Sequence, residues 1–269
     1  MTSTQDLLAR LTFVAGFGDA SIDAEAGAVV VTAPANTDLI ADPVSGSLTR
    51  GAPVLAAPAP EGDFVFSARV TVPGERSTYD AGVLALYVNE RRWAKLCFEY
   101  SPEAEAMVVG VVTNGFSDDS NGDVIEADTV HLRVSRLGEA FAFHHSPDGV
   151  RWRFLRVFRL GTTDELEGLH LGLAAQAPLG QGRVAEFASI SLEYRVLAAR
   201  GAVRCGTRPR GARVCFGRLG AGGASGPAPP ECPAQRQPDH ERPEGGADPR
   251  HAHAGGRHEE RRDHRDARG

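Results

Sequence analysis

Between Phe64 and Val196 nonpolar residues recur at every second position, in short runs broken by turn residues. Side chains of a strand point alternately to its two faces, so this period predicts half-buried β-strands rather than helices. The runs are FVFSARVTV, AGVLALYV, RWAKLCFEY, MVVGVVT, VHLRVS, AFAFHH, WRFLRVF, LHLGLAAQ and VAEFASISLEYRV, and AVVVTAP, from Ala28, adds a tenth. Only TSTQDLLARL has helical character, with Ser3 or Thr4 as cap of a short turn carrying Leu7, Leu8 and Leu11. Many strands without an amphipathic helix imply an all-β sandwich of two antiparallel sheets over residues 1–200.

Side-chain parity constrains how AGVLALYVN and WAKLCFEY pair. Leu84, Leu86 and Val88 share one face, as do Ala94, Leu96, Phe98 and Tyr100. A three-residue loop, Glu90-Arg91-Arg92, sets Asn89 opposite Trp93, Leu86 opposite Leu96 and Leu84 opposite Phe98. A two-residue loop would turn one apolar set over. The other face then carries Tyr87, Trp93, Lys95, Cys97 and Glu99. Such a row is either the floor of a ligand groove, or a tryptophan packed beneath a loop with Lys95 paired to a neighbour.

Charge separates two regions. The chain has 269 residues and a formal net charge of -6; residues 1–200 carry -10 and residues 201–269 carry +4. This balance argues against a nucleic-acid partner. The last 69 residues hold 13 Gly and 8 Pro, with Val203, Val214, Phe216 and Leu219 as their only large apolar groups. Too little burial is on offer there to offset ordering entropy, so a disordered Arg/Gly/Pro/His-rich tail is expected. It reads as a frameshift product of a GC-rich gene or an unselected extension, ahead of a metal tract at His251, His253, His258 and His264. Cys97, Cys205, Cys215 and Cys232 are too widely spaced for a metal knuckle. No leader pattern or long apolar run occurs, so no membrane association and a reduced, cytoplasmic protein are expected. Lys95 is the only lysine in the chain.

Five segments, in order, carry a resemblance: Tyr79-Asp80-Ala81-Gly82, WAKLCFEYSP from Trp93, VVTNGFSDDSN from Val111, LRVSR from Leu132, and HHSPDGVRWRF from His144. Over about residues 10–195 the chain resembles the regulation-of-enolase-like proteins, domain of unknown function 1349, in the concanavalin A-like lectin/glucanase superfamily. The resemblance implies a concanavalin A-like jelly roll whose concave sheet holds carbohydrate in sugar-binding relatives. It does not imply catalysis. Glucanases of that superfamily carry an E-x-D-x-E type run, because retaining hydrolysis needs two carboxyls about 5 Å apart. The nearest run here, Glu99, Glu103 and Glu105, crosses the turn at Pro102 and lacks the middle Asp.

Three further motifs remain open. FSDDSNGD, from Phe116, is expected to be a loop: a self-bonded turn, a polar rim of a groove, or a calcium loop through Asp119, Asn121 and Asp123. Gly122 precedes the third candidate ligand instead of following it, and no glutamate closes the motif. Ser146-Pro147-Asp148-Gly149 with Trp152 reads as a structural type I turn. Asp80 enters an apolar strand and must be hydrogen-bonded, either to a loop backbone or to a ligand. His131, His144, His145 and His170 show no ligand spacing, and Cys97 reads as buried filler.

These readings point to a non-catalytic, lectin-like domain without a cofactor or metal. Its expected ligand is a saccharide or another small polar molecule, held by Asp80, Trp93, Lys95, Glu99, Asp118, Asp119 and Asn121. The alternatives are a protein-interaction or regulatory module acting on a metabolic enzyme, and a glycoside hydrolase.

Overall fold

A computed structural model describes residues 3–195; the expectations for residues 201–269 lie outside that range. A five-residue helix, Thr4–Leu8, precedes sixteen strands. These are β1 Thr12–Ala15, β2 Asp19–Asp23, β3 Ala28–Pro34, β4 Leu39–Ala41, β5 Leu48–Arg50, β6 Val54–Pro58, β7 Asp63–Thr71 and β8 Ala81–Asn89. There follow β9 Arg92–Tyr100, β10 Ala106–Asn114, β11 Phe116–Val124, β12 Thr129–Leu137, β13 Ala140–Ser146, β14 Arg153–Arg159, β15 His170–Gln176 and β16 Gly182–Arg195. Two seven-stranded antiparallel sheets run β1-β6-β15-β8-β9-β10-β11 and β14-β13-β12-β7-β16-β3-β2, and β4 and β5 form a separate hairpin. This is an all-β jelly-roll sandwich.

Alternation explains the core. Leu84, Leu86, Leu96, Phe98, Val108, Leu171 and Leu173 of the first sheet meet Phe64, Phe66, Val70, Leu132, Phe141, Phe143 and Phe187 of the second. The helix adds Leu7 and Leu8 to the same core, its start fixed by a reciprocal cap between Ser3 and Asp6.

The β8–β9 hairpin keeps the expected faces but not the expected register. Leu84 opposes Leu96, Leu86 opposes Ala94 and Tyr87 opposes Trp93, and Asn89 faces Arg92 across a two-residue loop of Glu90 and Arg91. A bulge at Val88 absorbs the odd residue, so the shorter loop does not turn either apolar set over. Phe116–Val124 is likewise a strand, not the expected loop. It pairs along β10 as the outer strand of its sheet, and its polarity reflects that edge position.

The first sheet is covered on both sides. Its outer face carries Val83, Ala85, Tyr87, Trp93, Cys97, Met107, Val109 and Val111, packed with Leu39 and Ala41 of the β4–β5 hairpin. Trp93 therefore lies on the face that parity assigns to it, yet is fully buried. Glu90 also pairs with Arg50, the last residue of the hairpin.

Leu96, with no exposure, should be costly to truncate: Leu96→Ala is expected to lower the unfolding free energy by about 2–5 kcal/mol. Val157→Ala, at an exposed position, should stay within about 0.5 kcal/mol of the parent in urea titrations.

Candidate functional site

Lys95 on β9 lies across the outer face of the first sheet, over the small side chain of Ala85 on one neighbouring strand and beside Val111 on the other. Its ammonium, 4% exposed, donates to Gln176 Oε1 at 3.0 Å and to Asp38 Oδ1 at 3.3 Å. Gln176 passes the chain on, donating from Nε2 to the Tyr79 carbonyl at 2.9 Å and to Glu99 Oε2 at 3.3 Å. Asp119 stands opposite Val111 on β11, and Asn121 stands opposite Val109. Acceptors and donors thus alternate over residues of three strands, β15, β9 and β11, and the entry to the hairpin.

Burial shapes the protonation of this group. Burial, the largest single influence, would depress the Lys95 ammonium, but the surrounding acidic groups, Asp38 foremost with Cys97, Glu99 and Asp119, together outweigh it and hold the group above its usual range. Glu99 is pushed by burial up to about 8, with the Lys95 charge pulling only partly the other way. Asp119 is raised as well, chiefly by burial, and the Cys97 thiol is driven well above its ordinary value by the same cause. At neutral pH Cys97 is a buried, protonated thiol and Glu99 is largely a neutral acid.

Two of the seven expected ligand residues lie apart from this cluster. Asp80 is fully buried and serves a loop: its Oδ2 accepts from Ser77 N at 2.9 Å and from Arg183 Nε and Nη2 at 3.0 and 2.7 Å. Arg183 also donates to the carbonyls of Pro73 and Glu75, so the pair fastens residues 73–80 to β16. Asp118 points to the other side of β11, where it meets Arg156 of the second sheet's edge strand at 3.4 Å.

The calcium-like alternation also breaks. Two residues, Gly122 and Asp123, oppose Val108 in a bulge, which turns Asp123 towards His145, at 3.7 Å, and Arg153. Among the described residues no cluster of three or more His, Cys, Asp or Glu is placed to hold a metal ion. The 146–152 turn is structural: Asp148 Oδ1 accepts from Val150 N and Arg151 N at 2.8 Å each, and Trp152 stacks on the Arg133 guanidinium at 3.4 Å.

Asp38, Gln176 and Tyr79 belong to the site but escape sequence reading. Asp38 lies outside any alternating run and Gln176 ends one, so neither advertises its long-range partner. Tyr79 is 41% exposed and adopts φ +68°, a left-handed conformation that a bulky residue rarely takes. Its N–H donates to Tyr100 O at 2.7 Å, and Gln176 holds its carbonyl.

Residues 19–195 match the family described as "Protein of unknown function (DUF1349)". A crystal structure of a functionally unknown protein from Saccharomyces cerevisiae is similar, with 24% identity and TM-score 0.62, over 70% of this chain and 98% of that one. A xylan β-1,4-xylosidase from Bacillus halodurans C-125 shares 14% identity with TM-score 0.52, over 62% of this chain and 33% of its own. The carbohydrate-binding module CBM66 from Bacillus subtilis shares 12% identity with TM-score 0.44, over 68% and 95%. No curated protein matches the chain. The chain spans about a third of the xylosidase, and the likeness to it is one of fold.

Because burial raises Glu99 from 4.5 to about 8, the folded state binds this proton more tightly than the unfolded state. Its contribution to stability is complete below about pH 4.5 and is lost as pH rises towards 8. Denaturant midpoints measured across that window should decline, and Glu99→Gln should flatten the decline. Removing the counter-charge of a sealed carboxylate, as in Arg183→Ala, should cost about 3–5 kcal/mol in the same assay.

Proposed function

Because the chain belongs to the DUF1349 family of proteins of unknown function, its activity has to be read from the site, and we propose a non-catalytic, lectin-like module that binds a saccharide or another small polar ligand. The carrying observation is the alternation Asp38–Lys95–Gln176–Glu99, with Asp119 and Asn121 on the same face. Each sugar hydroxyl both donates and accepts, and a row that alternates fixed donors and acceptors suits it. Exposed Tyr79, locked in an unfavourable backbone conformation at the end of this row, adds an aromatic surface where strain often marks a ligand clamp. The sandwich shared with part of a xylan-cleaving enzyme is consistent with this class of ligand.

A second reading rests on Glu99. A carboxyl held near 8 is protonated at neutral pH, as a general acid must be. Against hydrolysis, β9 lacks the alternating carboxylates of glucanases, and the cation beside Glu99 already engages Asp38. A third reading, a regulatory module docking on a metabolic enzyme, rests on the resemblance to regulation-of-enolase-like proteins.

Glycan-array screening followed by calorimetry on the full chain separates the three. Binding of at least one oligosaccharide, weakened tenfold or more (about 1.4 kcal/mol) by Gln176→Ala, is the expected result. Absence of any saccharide binding overturns the proposal. Release of sugar from chromogenic glycosides, abolished by Glu99→Gln, would favour hydrolysis. Capture of an enzyme from lysate that salt elutes and sugar does not would favour regulation.

A further inference from the structure

We propose that the sheet face beneath the β4–β5 hairpin is itself the deep part of the saccharide site, with Trp93 as its floor and residues 38–50 as a lid. This rests on the binding reading above and goes beyond it, since the closed structure leaves Trp93 no exposed surface.

Three observations carry it. The first is Trp93 itself, whose indole N–H is buried without a hydrogen-bond partner. Leaving such a donor unsatisfied costs about 1–3 kcal/mol, and a phenylalanine would fill apolar space there without that cost. A tryptophan is explained if a second state gives the N–H a partner, such as a sugar hydroxyl.

The second is the independence of the hairpin. Its strands have three residues each and join neither large sheet, and an isolated two-stranded hairpin has little stability of its own. It is secured at its base by the paired backbone bonds of Thr37 and Ala177, at 3.1 and 3.0 Å. Across its span three polar ties hold it to the sheet: Ala41 N donates to Ser117 Oγ at 3.0 Å, Lys95 donates to Asp38, and Arg50 pairs with Glu90 of the β8–β9 loop. Leu39 and Ala41 are its buried apolar contribution. The tip residue Val44 is 94% exposed. Such a segment can swing about the Thr37–Ala177 bridge while both sheets stay intact.

The third is what lifting it would uncover. Trp93 lies on the same face as Lys95, Cys97 and Glu99, with Gln176 bonded to Lys95 from β15. A flat indole with an ammonium two residues further along the same face of β9, and an amide and a carboxyl at the far end of the strand, about 20 Å on, is the chemistry that takes an oligosaccharide, one ring's apolar face on the aromatic and the hydroxyls of later rings on the polar groups. The lid thus covers an apolar stacking surface at one end of the buried polar row, with exposed Tyr79 at the other.

The chain has two tryptophans and one lysine, which makes opening measurable. In full-length Trp152→Phe, Trp93 is the sole indole emitter. Its fluorescence is expected to be quenched by acrylamide, more strongly in the added Leu39→Ala background, and protected by the oligosaccharide found on the array, with xylohexaose and cellohexaose as first probes. Loosening the lid raises the fraction of binding-competent protein, so Leu39→Ala should tighten saccharide binding by the same factor, on the order of tenfold. In the unaltered protein, reductive methylation read by mass spectrometry at Lys95 reports the same opening without any substitution. If saccharide binds while Trp93 stays unquenched and Lys95 unlabelled, the lid is overturned and the binding reading stands. If Trp93 and Lys95 are reached but no saccharide binds, the binding reading falls and takes the assigned ligand with it. If Leu39→Ala weakens binding as quenching rises, the hairpin is a wall of the site and not its cover, which also overturns the proposal.

Discussion

A strand shows its side chains alternately to two faces, and β8, β9 and β10 are obliged to bury both of them. One face joins the core between the two large sheets; the other lies against the β4–β5 hairpin. That double burial decides which residues β9 can carry. Its inner positions are Ala94, Leu96 and Phe98, and the outer ones include a lysine and a glutamate that must be neutralised or partnered away from bulk water. The site is a consequence of placing charge where the fold supplies a roof.

Within that layer the polar groups are mutually dependent. Lys95 stays charged because Asp38 lies close, and Asp38 reaches it because the hairpin starts where the Thr37–Ala177 bridge fixes the chain. Gln176 serves both ends, accepting from Lys95 and donating to Glu99. Glu99 keeps its proton because this arrangement supplies one nearby cation, already committed elsewhere, and considerable burial. A group of this kind is held in one arrangement by its own hydrogen bonds and ion pair.

Alternation made the ten longest apolar runs legible, along with the face each residue occupies. It could not register the pairing of β8 with β9, because a bulge at Val88 changes the offset while preserving parity, and parity was the only constraint available. FSDDSNGDV carried no apolar signal because an outer strand needs none; its hydrogen bonds to β10 make it a strand. The row from Trp93 to Glu99 was readable, but its cover was not. The roof is a hairpin of two three-residue strands, too short to impose a period on the sequence. For Asp80 the sequence required a partner and left its identity open; the answer, Arg183, lies 103 residues away. Long-range polar pairs leave no local trace.

The outer strands β11 and β14, one from each sheet, are cross-braced by opposite charges. Arg156 reaches Asp118, and Arg153 reaches Asp123. Exposed sheet margins are where foreign chains add themselves and ribbons of many copies begin to grow. Here a newcomer seeking main-chain bonds along either margin would meet ionised side chains that are already engaged with the neighbouring layer. The same braces that close this flank of the sandwich also discourage polymerisation, so the protein can hold a long polar strand, bulged at Gly122 and Asp123, at its margin without becoming a template for its own aggregation.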